Sequence, residues 1–584
     1  MTVARLAAIV VLATLGSAGC DSCGAPSGGP AEAAAAEPVE PPVPAPAGLL
    51  AEAWVREPDA AWGKIQRGVS GAVALLPPTA GELACAFAGL DAPLAQLIDG
   101  KGTSYVVLGE GGAAETVAWV VAFPVTDGAV ASSMLFEGGD AADAGGRYSA
   151  RDVGGMRVLS SAAHPLNVTA ALTRGPRPRA WLVLASSEEA RGRLGPYAVR
   201  TLPTKAAPAE SGAIVVDVPP SALAGALSSW LGARWGQMRA WLGARDDEQR
   251  AKHGGRAPDF GDPRPIVDAV DDVITRRIAL LAGARAARVV VDAGDDEVHV
   301  ELGLTPGADA ASTSQLAAMT PGDTRPLAAA PADSVLAVLV RDDPTSRGED
   351  AAMIEATLEK ALGERLHDDD THALHAAVTD WVHARGDWWT GALAWGPADS
   401  SRGVWLRTPA ASADASSRAV RELVDLTHRR ALQDMLAGSL HLSPGAVRSV
   451  DAPPAGKVSL ATFTDPTGAG GHKPEGVLGV AWGVHEGELL VAAGTSAPQL
   501  LSAEAAPARR VGDDPRSARA LLALGQRATF AVFAEPLRLD PTRGEPDAAS
   551  PAVFSWGRKG EQAWARLELA DVLLRELLRL KAGL

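Results

Sequence analysis

The stretch HDDDTHALH, residues 367–375, sets three imidazoles among three carboxylates. His367, His372 and His375 carry nitrogen donors of the kind zinc prefers, and His372 and His375, three residues apart, fall on one helix face. The same letters suit a helix start, where Asp370 or Thr371 would cap free backbone donors and carboxylates would meet the positive end of the helix. A structural zinc site needs about four closed ligands, and no cysteine cluster joins these histidines. The expectation is a capped helix, with no metal and no other cofactor.

Other stretches that could do chemistry fail on context. GAGGHKP, 468–474, has proline after Lys473 where a phosphate loop wants Ser or Thr, and GKGTS, 100–104, fails the same comparison. Both are expected as turns before the strands SYVVLG and GVLGVAW. Asp-Phe-Gly at 259–261 lacks the companions of a kinase, and no G-x-S-x-G elbow exists. Tryptophan is the unusual component, with 15 against three tyrosines, and Trp381, Trp388, Trp389, Trp395 and Trp405 crowd into 381–405. A period of two puts Trp389, Leu393 and Trp395 on one face, expected as core, and Trp388 on the other. The competing expectation is an aromatic platform for a glycan or peptide, with Trp388 and Trp405 as its members.

The elements that must position such groups follow a recurring phrase. GAVALLPPT at 71, GAIVVDVPPS at 212, SVLAVLVRDDPT at 334 and ATFAVFAEPL at 528 are apolar runs closed by proline and followed by helical periodicity. Thr79, Ser221 and Thr345 stand where they could cap the helices. AWLVLASSEEARGRL and GELLVAAGTSAPQLLSA pair a strand with a capping box, Ser186 with Glu189 and Ser496 with Gln499. RVVVDAGDDEVHVELGL and VFSWGRKGEQAWARLEL read as hairpins. After the second phrase, residues 221–244 place Leu223, Leu227, Trp230, Leu231, Met238, Trp241 and Leu242 mainly along one side, and a second helix sets Ile266, Val270, Val273, Ile274 and Ile278 on one face. The order of these signals repeats in two halves. The expected fold is α+β: two duplicated units of largely antiparallel sheet covered by amphipathic helices.

Composition bounds the partners. Fifty-four basic against 70 acidic side chains give a net charge of −16, which disfavours nucleic acid. Three cysteines make no disulfide framework, and Cys85, in the apolar ELACAFAGL, is expected as a buried thiol. Arg5 precedes an apolar run, Leu6–Leu15, too short to span a bilayer but suited to export.

That run ends in Ser17, Ala18, Gly19 and Cys20, and the segment resembles a bacterial lipoprotein signal, with Ser17 where leucine is usual. With the tether and strand phrases, the chain is similar to predicted envelope lipoproteins of unknown function. The resemblance implies cleavage before Cys20, acylation of Cys20 and a membrane partner through that anchor, on the periplasmic or outer side of the envelope. The expected organisation is a signal at 1–19, a Pro/Ala-rich tether at 20–48, one unit at 49–304, a linker at 305–332 and a second unit at 333–584. The expected function is a non-enzymatic binding or scaffold protein of the envelope, meeting a protein or cell-wall partner. The alternatives are a carrier of lipid or acyl chains and a hydrolase with a dispersed acidic site.

Overall fold

The computed structural model describes residues 41–574 except 70–75, 91, 112–116, 137–148, 154–155, 161–168, 174–179, 210–211, 253–263, 295–296, 344–346, 364–365, 397–401, 466–477, 525–526 and 540–548. Cys20, the first proline-closed phrase, Thr345, GAGGHKP and Asp-Phe-Gly therefore lie outside, or largely outside, the described residues. The chain divides into two compact units. The first draws on Met1–Ser228, Ala284–Leu304 and Ala570–Leu584, the second on Ser229–Gly283 and Thr305–Leu569.

In the first unit the apolar runs form β1 (Leu49–Val55), β2 (Ser104–Glu110), β3 (Val117–Val125), β4 (Ser149–Val153), β5 (Met156–Ser160), β6 (Thr169–Thr173), β7 (Ala180–Ala185), β8 (Ile214–Val218), β9 (Ala286–Ala293) and β10 (Glu297–Thr305). Their order across the sheet is β4-β5-β6-β7-β3-β2-β1-β8-β9-β10, and the neighbours from β4 to β9 run antiparallel. The helices of this unit include α1 (Pro58–Val69), α2 (Ala80–Ala88), α3 (Gly128–Phe136) and α4 (Glu188–Arg200). Strand β7 reads AWLVLA without alternation because both its faces are covered. Trp181, Val183 and Ala185 join Leu194 and Tyr197 of α4, while Ala180, Leu182 and Leu184 join Ala84 and Cys85 of α2. Cys85 is a buried thiol.

The second unit contains α7 (Ala310–Ala317), β11 (Ser334–Arg341), α8 (Arg347–Leu362), α9 (Asp368–Ala384), β12 (Trp388–Trp395), β13 (Arg402–Pro409), α10 (Ala413–Asp425), β14 (Arg448–Asp451), β15 (Lys457–Thr464), β16 (Leu478–His485), β17 (Glu488–Gly494), α11 (Ala497–Ala505), α12 (Pro515–Ala523), β18 (Ala528–Ala534), β19 (Ala552–Lys559) and β20 (Gln562–Ala570). Its sheet order is β14-β15-β16-β17-β13-β12-β11-β18-β19-β20, antiparallel throughout. Apart from the two-residue strand Ser443–Pro444, which pairs with the end of β15, adding ten to each strand number of the first unit reproduces it. The tight turn between β16 and β17 places Glu486 and Gly487 at positive φ, 51° and 81°, the conformation that matches the twist of a two-residue hairpin. Helix and antiparallel sheet together make the fold α+β, as composition and patterning suggest.

Local expectations fare unevenly. The Thr79 hydroxyl accepts from the Glu82 amide at 3.1 Å and caps α2. The cap of α4 is Ser187, accepting from Ala190, whereas Ser186 accepts from the Trp119 amide of β3. Ser496 stands at the start of α11 without a capping bond, and Ser221 lies inside a helical turn that begins after Pro219. The chain crosses between units at Leu304 and Thr305, yet 305–332 is built into the second unit: it forms α7 and the turn Arg325–Ala328, and Leu327 and Ala330 are buried in the core with Leu339 and Phe533.

The helix pair α5 (Ser228–Lys252) and α6 (Arg264–Ala282) departs furthest from expectation. Of the residues expected to face a core from 221–244, Leu223 alone is buried, whereas Trp230, Met238 and Trp241 are 42%, 50% and 55% exposed. Ile266, Val270 and Val273 of α6 are exposed too. The side of α5 turned to α6 is polar: the Trp235 indole donates to Asp271, and Arg239 donates to Asp271 at 2.7 Å and to Asp268. Charge pairing, not apolar periodicity, sets the rotation of this helix.

Replacing Leu327 by alanine tests whether 305–332 is core or linker. Urea unfolding should show a loss of about 2–4 kcal/mol, as for a leucine fully buried in a packed core; a linker position would lose under ~0.5 kcal/mol.

Candidate functional site

The histidines are brought together on one helix end but turn to different partners. His367 precedes α9, and its amide donates to Asp370 Oδ2 at 3.3 Å, so Asp370 serves the helix start. His372 Nδ1 meets the Asp368 carbonyl at 2.7 Å, and His375 Nδ1 meets Glu355 Oε2 of α8 at 2.7 Å. Among the described residues no group of three or more His, Cys, Asp or Glu side chains is arranged to hold a metal.

The tryptophans fall on the opposite faces from those expected of Trp389 and Trp395. Core parity on β12 belongs to Thr390, Ala392 and Ala394, which are buried, and Trp388 packs against the same cluster. Trp405 of β13 is 2% exposed within that core, so it offers no face to a ligand. Trp395 is 44% exposed, with the Arg402 guanidinium 5.1 Å from its ring centre. Sequence parity gave the alternation; the register of neighbouring strands decided which parity is inside.

Trp389 and Trp395 belong to a wider surface. Register pairs Leu336, Val338 and Val340 of β11 with Leu393, Gly391 and Trp389 of β12, and with Ala534, Val532 and Phe530 of β18. On β19, Phe554 lies opposite Val532 and Trp556 opposite Phe530; on β13, Val404 lies opposite Leu393. Phe530 stacks on Trp556 at 4.5 Å, with Phe554 edge-on. Leu336, Trp395 and Val404 are exposed and the other large side chains of this face are half-buried. No ionisable side chain interrupts it across β19-β18-β11-β12 between Trp556 and Leu393; Arg402 stands at its border and Arg277 of α6 lies 5.6 Å over the Trp556 ring. A contiguous apolar surface of this kind is unusual on a protein face that meets only water. The single-residue signals were visible, since VLAVLV and ATFAVF are uninterrupted apolar runs, but they read equally well as strands covered on both sides. On the corresponding side of the first unit Val55, Val106, Ile214 and Val291 are buried, with Val216, Val289, Val298 and Val300 half-buried beside them.

The ionisable groups with displaced pKa values lie elsewhere. On the core side of β13, Arg407 donates to Glu488 of β17 and reaches Glu504 Oε1 of α11 at 3.5 Å. Burial pushes the Glu504 carboxyl up to about 8 against the opposing pull of Arg407, so at neutral pH it holds its proton. At 1% exposure it is sealed from solvent. Asp342 is raised by burial although Arg385 lies 2.8 Å away, and Glu535 is raised by burial beside Arg538 at 2.6 Å. In the first unit the Tyr197 hydroxyl donates to Glu52 and accepts from Lys205, each at 2.7 Å. Burial raises Tyr197; for Lys205 burial lowers the pKa but bonding to Glu52 and Tyr197 outweighs it and the net shift is upward. A phenol that keeps its proton and an ammonium that keeps its charge serve to tie α4 to β1.

No protein-family model and no curated protein matches the chain. Two solved structures match, crystal forms IV and III of TP0453, at 8% and 9% identity, over 44% and 46% of this chain and 77% and 82% of theirs, with TM-scores of 0.22 and 0.21. Likeness at that level leaves function to be argued from the residues.

Glu504 makes a pH test. Its folded pKa lies above the ordinary 4.5, so its contribution is fully present below pH 4.5 and is lost as pH rises through about 8. Glu504→Gln, neutral at every pH, should flatten that fall and exceed the wild type by roughly 2–4 kcal/mol at about pH 9. Denaturant unfolding across the pH series reads it; parallel curves for the two proteins would contradict the assignment.

Proposed function

We propose that the chain is an envelope binding protein, held at a membrane through acylated Cys20 and offering the charge-free sheet face of its second unit to an apolar ligand. The observation that carries this reading is the run of Leu336, Val338, Val340, Trp389, Leu393, Phe530, Val532, Phe554 and Trp556 on one face of four adjacent strands. Apart from the indole N–H groups of Trp389 and Trp556 the face carries no side-chain donors or acceptors for sugar hydroxyls, so it suits an acyl chain better than a cell-wall glycan. That favours carriage of lipid or acyl chains as the specific form of binding, over a scaffold role. The shared strand order of the two units supports their origin as repeats of one module, one face aliphatic and the other aromatic.

Among the described residues no helix is long and apolar enough to cross a membrane. The anchor in this reading is Cys20, where acylation of thiol and amino group would supply the two or more chains that stable anchoring takes.

Two experiments test the two parts. Native mass spectrometry of the purified protein should detect a co-purifying lipid, and Leu336→Glu with Trp395→Glu, both at exposed positions, should reduce its occupancy at least about tenfold, since a charge set against an acyl chain costs several kcal/mol. An empty wild type, or equal occupancy in the variant, counts against the apolar-ligand reading. Cys20→Ala should abolish acylation, read from the mass of the N-terminal peptide, and release from the membrane any protein whose signal has been cut. A wild-type peptide with unmodified Cys20, or one starting after it, would end the anchoring part.

A further inference from the structure

Helix α5 carries a stripe that the fold leaves unused. Trp230, Arg234, Met238, Trp241 and Arg245 are spaced by four, four, three and four residues. At ~100° per residue they fall within roughly 80° of arc, along ~23 Å of helix. Trp230, Met238, Trp241 and Arg245 are exposed. Each arginine lies over a tryptophan of the same stripe, Arg234 at 5.7 Å from the Trp230 ring and Arg245 at 5.8 Å from Trp241. The side bound to α6, with Trp235 and Arg239, is a different one. A tryptophan face is costly in water, so an occupant is to be expected, and charge identifies it. Between Asp217 and Asp246 the sequence contains no acidic residue, in a chain whose net charge is −16; Arg234 and Arg245 stand on the stripe, while Arg239 is paired with Asp268 and Asp271 of α6. A second copy of this stripe would bring like charges together across the seam. An anionic lipid surface would take the indoles at the headgroup boundary and pair the guanidinium groups with phosphates.

We propose that the Trp230–Arg245 stripe of α5 docks on anionic lipid surfaces, lying in the plane of the headgroups. This contact is independent of acylation at Cys20 and of the apolar sheet face. It would set the orientation of the second unit at the bilayer, where a lone N-terminal anchor fixes only distance.

The test uses the unacylated chain from residue 20 onward, which keeps every described residue, mixed with vesicles of phosphatidylcholine plus phosphatidylglycerol or of phosphatidylcholine alone. Co-sedimentation should show binding to the anionic vesicles that weakens with salt. Trp230→Ser with Trp241→Ser should lower the partition coefficient at least about tenfold, and Arg234→Gln with Arg245→Gln should lower it about tenfold and remove most of the salt dependence. Circular dichroism melting checks that both variants remain folded. The sheet-face variant Leu336→Glu with Trp395→Glu should bind vesicles as the wild type does, which separates this contact from the ligand site. Absence of wild-type binding, variants that bind as well as the wild type, or a stripe-dependent dimer in sedimentation equilibrium without vesicle binding would each overturn the proposal.

Discussion

In each unit the first strand lies between the second and the eighth, so both of its edges are committed to backbone hydrogen bonds. Unpaired strand edges are reactive toward other chains, and a strand that cannot donate along one side must end the sheet. By placing β1 and β11 centrally, the fold fixes where all later strands must go: the second to seventh build outward on one side and the eighth to tenth on the other. Side-chain parity then follows from register. One strand's core face determines the core face of every neighbour, and a slip of one residue would exchange the buried alanines of β12 for its tryptophans.

The polar interior obeys the same constraint. Arg407 with Glu488 and Glu504, Asp342 with Arg385, and Glu535 with Arg538 all sit at strand ends or where a helix returns to the sheet. At such corners the apolar alternation gives way and charged side chains must be taken inside. Each pair offsets part of its own desolvation, and loss of one partner would leave a buried charge, a far larger penalty than the pair's net worth. The Glu504 carboxyl avoids part of the cost by remaining protonated at neutral pH.

Much of the architecture was legible because it rests on short-range rules. Apolar runs closed by proline became β8, β11 and β18, the two hairpin signals became β9 with β10 and β19 with β20, and Thr79 capped its helix. What failed depended on long-range partners. The parity of Trp388 and Trp389 could not be known without β11 and β13 beside them. The docking of 305–332 into the second unit depends on Leu327 and Ala330 meeting Leu339 and Phe533, which its Ala, Pro and Gly content conceals. Apolar periodicity does not set the rotation of α5 because Asp268 and Asp271, on another helix, outweigh it. Of the candidate site, single strands were visible, but an open face exists only when several strands are set in register, and that is a property of no one segment.

A central first strand also has a history in time. Val55 ends β1 and Ile214 begins β8, 159 positions later. At synthesis rates of ~5–20 residues per second, β1 would wait roughly 8–30 s with one edge unpaired after its own completion. Hairpins such as β16–β17 close in about 1–10 μs, so the later meander can be complete while the strand at the middle of its sheet is still half-bonded. Glu52, the one charge on β1, points into that waiting period as well as into the finished cluster with Tyr197 and Lys205: until α4 arrives it keeps the nascent strand from being a wholly apolar template.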